Sequence, residues 1–470
     1  MTTPTVDRWS SSERRERPSR PAQDAPRDRR KPAPEDHEPT WRAWRSRLRT
    51  AGGWLLTLLA LVVLSLTPLA LLRLGRVVQR HPRPSLVGAG VAGLAFTTCA
   101  LLGVQTVHAW PVASTEASQY VYDQVVQVPQ GLRDQREFAK AAETDPLRDV
   151  PPDRLFPGLA GKDVLLVFVE SYGRVAVQDT SYSRGINEVL DRGTDELEAA
   201  GYQSRSAFLT SPTYGAGSWL AHSTMQSGLW VENQQRYDVL VTSPRLTLSD
   251  LFGRAGWRTV GDVPANTHDW PQGEFYDYDQ VYDSRNVGYQ GPKFGYPTMP
   301  DQYTLDAFHR FELDQADRSP VFAELDLISS HAPWAPLPRM VPWDQVGDGS
   351  VFEGMPEQGR TRAETWQDAA HVQQAYGESV EYTLSTMFSF LHTFDQPNLV
   401  LIVLGDHQPA RIVSGPDADH DVPITIISKD PSVFDAIASW QWDAGVKPAG
   451  DAPVWPMDQF RNRFVEAFSP

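Results

Sequence analysis

LVLIVLGDHQP, residues 399 to 409, decides the fold, because six apolar residues run without a break into Gly405, Asp406 and His407. A short apolar run of this kind reads as a strand buried on both faces, as strands of parallel sheets are. In an open α/β sheet, ligands sit beyond the carboxyl ends of the strands, so a carboxylate and an imidazole delivered together at such an end are placed to hold a metal. The alternative is that Asp406 caps a turn and His407 packs on the sheet. A second stretch follows the same pattern: DVLLVFVE, residues 163 to 170, is an apolar strand ending in Glu170, followed by Ser171, Tyr172 and Gly173. Two strand ends then supply three metal-binding groups, which favours the metal.

From Lys162 onward, strand-like runs alternate with helical ones. The strand-like runs are VLLVFV from 164, RSAFL from 205, RTVGDV from 258, PVFAELDL from 320, LVLIVL from 399 and VPITIIS from 422. Helical periodicity appears between them, at Ile186, Val189, Leu190, Leu197 and Ala200, and again from Trp366 to Leu391. This alternation predicts an α/β fold, a three-layer α/β/α domain with a mostly parallel sheet over residues 162–470.

The 470 residues ahead of and within that domain are of unlike kinds. Residues 1–50 are rich in Arg, Pro, Asp and Glu with few aliphatic residues, the composition of a disordered basic tail. Residues 51–72 and 85–110 are apolar and long enough to cross a bilayer, so two transmembrane helices are expected within 51–110. Arg42, Arg45, Arg47 and Arg49 precede the first span and Arg73, Arg76, Arg80 and Arg83 fill the loop between the two, whereas the flank after Trp110 has no Lys or Arg before Arg133. That bias places the globular domain on the extracytoplasmic side of the cell membrane. Residues 111–161 read as a connecting arm that rests against the domain. The formal net charge of -16 leaves the globular part acidic, which argues against nucleic acid as a partner. The one cysteine, Cys99, lies in a span, so disulfides and thiolate zinc sites are excluded from the domain.

Between the first two strands' ends lies SPTYGAGSWLAHSTMQSGLW, residues 211 to 230. Gly215 and Gly217 allow a tight turn, and Ser218 stands at the start of a helix, where backbone amides and the helix dipole favour an anion. Ser218 alone reads as an N-cap. Beside Glu170, Asp406 and His407 it reads as a nucleophile, since a metal touching its oxygen lowers the hydroxyl pKa.

The order of VES at 169–171, a Gly-rich turn into the Ser218 helix, SSHAPW around His331 and GDHQP around Asp406 resembles the alkaline phosphatase and sulfatase superfamily. With its apolar spans, the layout is similar to membrane-anchored lipoteichoic acid synthases and phosphoethanolamine transferases. The resemblance covers residues 162–470, and GDH after an apolar strand is its most specific motif. It implies a divalent metal held by Glu170, Asp406 and His407, with Ser218 as fourth ligand and nucleophile. It further implies that His331 binds the phosphate or acts as general acid, and that His420 corresponds to a histidine that follows GDH in the transferases.

The chain departs from the superfamily's patterns in several places. The transferases mostly carry threonine at the nucleophile, which makes Thr213 the runner-up. The C/S-x-P-x-R motif of type I sulfatases is absent, the run here being Ser218-Trp-Leu-Ala-His. GDH is followed by Gln408-Pro409 rather than Gly-Glu, and the D-x-x-x-H pair of the two-zinc enzymes is not matched by Asp326 and His331. One divalent metal ion, Mn, Zn or Mg, is therefore expected, since mixed oxygen and nitrogen ligands suit all three. His222, one helical turn past Ser218, reads as a packed side chain. His268 and Trp270 are candidates for lining a substrate cleft, while the tyrosines and aspartates at 276–283 read as a surface strand. Trp334, Trp343 and Trp366 suggest aromatic loops over the site. The expected function is a metal-dependent phosphotransferase or phosphodiesterase acting on a lipid head group or an envelope glycopolymer. The alternatives are a sulfatase-like hydrolase of the same fold and an inactive envelope-binding protein.

Overall fold

The computed structural model describes residues 133–178 and 180–469. The spans expected at 51–72 and 85–110, the tail before them and the first part of the arm lie outside these residues. Among the described residues no helix is long and apolar enough to cross a membrane.

The strand-like runs of the sequence all form strands of one nine-stranded sheet, ordered β4-β3-β5-β1-β6-β7-β2-β8, with β9 paired to β2. The strands are β1 (Asp163–Val169), β2 (Gln203–Thr210), β3 (Arg258–Asp262), β4 (Gln280–Tyr282), β5 (Val321–Leu327), β6 (Leu399–Gly405), β7 (Asp421–Ser428), β8 (Asp443–Ala444) and β9 (Val454–Pro456). Neighbours β4, β3, β5, β1 and β6 run parallel. β7 is antiparallel to both β6 and β2. The stretch between β6 and β7 contains only a four-residue helix, Arg411–Ser414, and no crossover helix to carry the chain back over the sheet, so β7 begins where β6 ends.

The main helices are α1 (Ser183–Ala199), α2 (Ser218–Ser227), α3 (Leu248–Arg254), α4 (Asp301–Phe308), α5 (Ala369–Phe394) and α6 (Phe460–Phe468). Alternate residues of each central strand feed two cores. Leu165, Val167 and Val169 meet α1, α4 and α5 on one face. Val164, Leu166 and Phe168 meet α2, α3 and α6 on the other. The helical periodicity read at 366–391 begins later in the structure, because Thr361 and Asp368 cap two separate helices and Trp366 lies in the break. Residues 133–143 are helical. Phe138 and Ala142 of that helix pack with Leu220, Val231 and Leu240. Behind it, the buried Asp145 carboxylate receives Arg461 at 2.7 Å and Arg245 at 3.2 Å.

One buried carboxylate sets the turn after β5. Asp301, the first residue of α4, accepts the Ile328 and Ser329 amides on Oδ1 at 2.8 and 2.9 Å, and Thr383 Oγ1 on Oδ2 at 2.6 Å. Burial pushes this carboxyl up to about 6, against the hydrogen bonds from Thr383 and Ser329. With the unfolded value near 3.8, the folded state binds the extra proton between the two values, so the contribution is fully present below about 4 and is lost as the pH rises through about 6. A raise of roughly two units corresponds to ~3 kcal/mol. Comparison of the parent with Asp301→Asn by denaturant unfolding should therefore show the parent's relative stability declining by about that amount between pH 4 and 7. A difference that stays constant over this range would mean the carboxyl is not held protonated.

Candidate active site

Strand register sets two carboxylates side by side. Val169 at the end of β1 is paired with Gly405 at the end of β6, so Glu170 and Asp406 leave the sheet together. Gly405 is required because a Cβ there would lie 1.8 Å from the Tyr172 carbonyl oxygen. Ser171 adopts φ 57°, a conformation that costs a non-glycine residue energy. In this conformation its amide donates to Asp406 Oδ1 at 2.7 Å, and the His407 amide donates to the same oxygen at 2.7 Å. Asp406 Oδ2 is buried with no hydrogen-bond partner. It lies 3.5 Å from His407 Nε2, which is itself 3.7 Å from Glu170 Oε1. His407 Nδ1 meets the Gln408 carbonyl oxygen at 2.9 Å. A carbonyl can only accept, so Nδ1 carries a proton and the neutral ring keeps its Nε2 lone pair for the carboxylate side.

Ser218 is the first residue of α2 and Gly217, at φ 89°, occupies the cap position, so the N-cap alternative for Ser218 does not hold. The hydroxyl instead donates to Glu170 Oε2 at 3.0 Å and lies 3.4 Å from His407 Nε2. A hydrogen bond from the Gly215 amide to the Gln408 carbonyl, 2.9 Å, ties this loop to the GDHQ turn. Thr213, the runner-up, spends its hydroxyl on the Ala216 carbonyl.

Electrostatics bind the set together. Burial works against charge on Glu170, yet His407 and His331 with the Ser171 and Ser218 hydroxyls hold its carboxyl below the usual range. Burial and the neighbouring charge of Glu170 raise Asp406. Against burial, Asp406 and Glu170 raise the His407 imidazole. These groups share too little positive charge. Three mixed oxygen and nitrogen donors with ligand atoms within 4.8 Å of one another, one of them an orphaned buried oxygen, fit a divalent cation of the Mn, Zn or Mg class.

The cavity above them, about 390 Å³, is also lined by His331, Trp270, Trp219, Tyr296 and Trp334. His331 directs Nδ1 to the Ala332 carbonyl at 2.6 Å and stacks on Tyr296 at 3.6 Å. His268 and His420 do not line it. The exposed His268 bonds Thr267 Oγ1 at 2.8 Å. His420 meets the Ser211 carbonyl at 3.2 Å and tilts against Tyr214, bracing the loop that leads to Ser218. Of the three tryptophans read as loops over the site, Trp334 lines the cavity and Trp366 stacks on it, whereas Trp343 packs on Phe390 and Phe394.

A second group in the same cavity escaped the sequence reading. His222 Nδ1 lies 3.3 Å from Glu324 Oε1 and 3.5 Å from Asp326 Oδ1. The signals present were the i, i+4, i+8 spacing of Ser218, His222 and Gln226 on α2, and the alternate positions of Glu324 and Asp326 on β5. Burial opposes the charged imidazole, but Asp326 and Glu324 carry His222 to about 9. Burial also pushes Asp326 up to about 7, against the attraction of His222.

Gly405→Ala should cost about 1–3 kcal/mol or more and weaken metal uptake by Glu170, Asp406 and His407, because the Ser171 turn must shift to make room. Gly450→Ala, where an added Cβ meets nothing within 4 Å, is the control. Thermal unfolding with metal analysis separates them, and an unchanged metal content in Gly405→Ala would dismiss the close-approach argument.

No family model matches the chain and no curated protein matches it. Solved structures are similar to it. The lipoteichoic acid synthase LtaP from Listeria monocytogenes is 14% identical over 69% of this chain and 76% of that one, with a TM-score of 0.43. The soluble domain of lipooligosaccharide phosphoethanolamine transferase A from Neisseria meningitidis is 15% identical over 66% and 88%, with a TM-score of 0.43. A protein of the alkaline phosphatase superfamily from Vibrio parahaemolyticus is 15% identical over 72% and 75%, with a TM-score of 0.44.

Proposed function

We propose that the protein is a membrane-anchored, metal-dependent phosphotransferase or phosphodiesterase that uses Ser218 as nucleophile on a lipid head group or envelope glycopolymer outside the cytoplasmic membrane. One observation carries this reading. The Ser218 hydroxyl points at Glu170 and His407, 3.0 and 3.4 Å away, at the foot of an open cavity. A serine kept for structure would spend its hydroxyl on the backbone.

When bound, a divalent cation held by Glu170, Asp406, His407 and Ser218 would lower the pKa of the hydroxyl and offset charge on the phosphoryl group. As the Ser218 hydroxyl gives up its proton toward Glu170 Oε2, to which it already donates, Oγ attacks phosphorus in line, the new O–P bond forming as the bond to the departing alcohol breaks. His331, in the same cavity, binds a phosphoryl oxygen or protonates the leaving alcohol, and the first-turn amides of α2 face the developing charge. An acceptor hydroxyl or water then attacks the phosphoserine ester and restores Ser218. Trp270 and Tyr296 supply aromatic faces suited to the carbon skeleton of a sugar or glycerol head group. The two apolar spans read in the sequence support tethering, which confines enzyme and lipid donor to the same two dimensions.

The full chain in detergent should turn over a bis-aryl phosphodiester after manganese or zinc loading and leave an aryl sulfate intact. Ser218→Ala should lose about three orders of magnitude or more while keeping most of its metal. Asp406→Asn should lose that turnover together with the cation held by Glu170, Asp406 and His407. Undiminished turnover in Ser218→Ala would refute the serine mechanism, and a parent chain that binds no metal would turn attention to a binding role.

A further inference from the structure

The cavity is crowded with carboxylates at two separate places. Four carboxylates line it, Glu170, Asp406, Glu324 and Asp326, and among the described residues no Lys or Arg does. A cation at the Ser218 end answers Glu170 and Asp406. Among the described residues, Glu324 and Asp326 face only the His222 imidazole as an ionic partner, and a phosphate ester entering the cavity would bring further negative charge against them.

The second pair is arranged for a ligand of its own. His222 Nδ1, a Glu324 oxygen and an Asp326 oxygen all lie within 4.8 Å of one another. Each is held from behind. The His222 ring stacks on Phe168 with centroids 3.9 Å apart. Glu324 Oε2 accepts Gln226 Nε2 at 2.5 Å and Tyr278 OH at 3.1 Å, which leaves Oε1 turned to the histidine. Asp326 Oδ1 is buried and forms no hydrogen bond. Such supporting contacts are what orient metal ligands.

We propose that His222, Glu324 and Asp326 bind a second divalent cation of the Zn or Mn class, one helical turn from the nucleophile, so that a phosphate ester can enter an otherwise anionic cavity. This replaces the expectation of a single metal, which rested on the absence of a D-x-x-x-H pair. The second ligand set draws its histidine from α2 rather than from His331, whose ring is stacked on Tyr296. Its purpose rests on the phosphoryl-transfer reading above, whereas its test does not.

Full-length protein is stripped with chelator, loaded with Mn²⁺ or Zn²⁺, freed of excess metal by gel filtration and assayed by mass spectrometry for metal per chain, with circular dichroism as the check on folding. The parent should hold two equivalents. Asp326→Asn and His222→Gln, made separately so that a misfolded variant does not decide the matter, should each hold one, and Asp406→Asn should hold one of the other kind. One equivalent in the parent that is unchanged in folded Asp326→Asn and His222→Gln, or two in the parent that both variants retain, overturns the second site. Two equivalents without phosphodiester turnover would sink the proposed reaction and leave this site standing.

Discussion

Two carboxylates buried side by side at adjacent strand ends are the constraint around which this domain is arranged. Each charged group taken from water must be compensated by hydrogen bonds, opposite charge or a cation. For Asp406 the compensation is divided. One oxygen takes two backbone amides, from Ser171 and His407, and the other takes none. The amides reach it because Ser171 accepts a strained conformation and because Gly405 leaves room for the Tyr172 carbonyl. Strain and close approach at the end of a sheet are tolerated where the surrounding structure over-determines them. Here α5 does so through Tyr376, whose hydroxyl donates to the Ser171 carbonyl at 2.8 Å.

Much of this was legible from residue pattern alone. Unbroken apolar runs ending in Glu170 and Asp406 gave the two central strands, and parallel pairing then obliged their ends to meet. Ser218 could be placed in the site because a Gly-rich turn into a helix is a local signal. His331 was found for the same reason, since it follows an apolar strand. The antiparallel course of β7 was not legible, because it depends on the path taken by the chain between β6 and β7 rather than on the composition of either.

What the sequence hid was long-range. His222 is one histidine on a helix of low amphipathicity, and nothing local distinguishes it from a packed side chain. Its meaning comes from Glu324 and Asp326, about a hundred residues away, on a strand whose alternation places both beneath α2. His268 and His420 fail in the opposite sense. Both are near the site in sequence, but their ring nitrogens are engaged with Thr267 and with the Ser211 carbonyl outside the cavity. A histidine's role follows from where its partners lie, which spacing does not record.

The far end of α2 carries a consequence of its own. The Ser227 carbonyl, at the last turn of the helix that begins with Ser218, accepts Arg245 at 2.8 Å and Arg461 at 3.1 Å. Both guanidinium groups pair with the Asp145 carboxylate, which belongs to the segment ahead of the sheet. The helix that begins with Ser218 is therefore held at its rear by a charge borrowed from the stretch of chain ahead of the sheet. A chain trimmed at Lys162 would leave the two arginines buried without their counter-ion. The arm is thus a structural part of the domain.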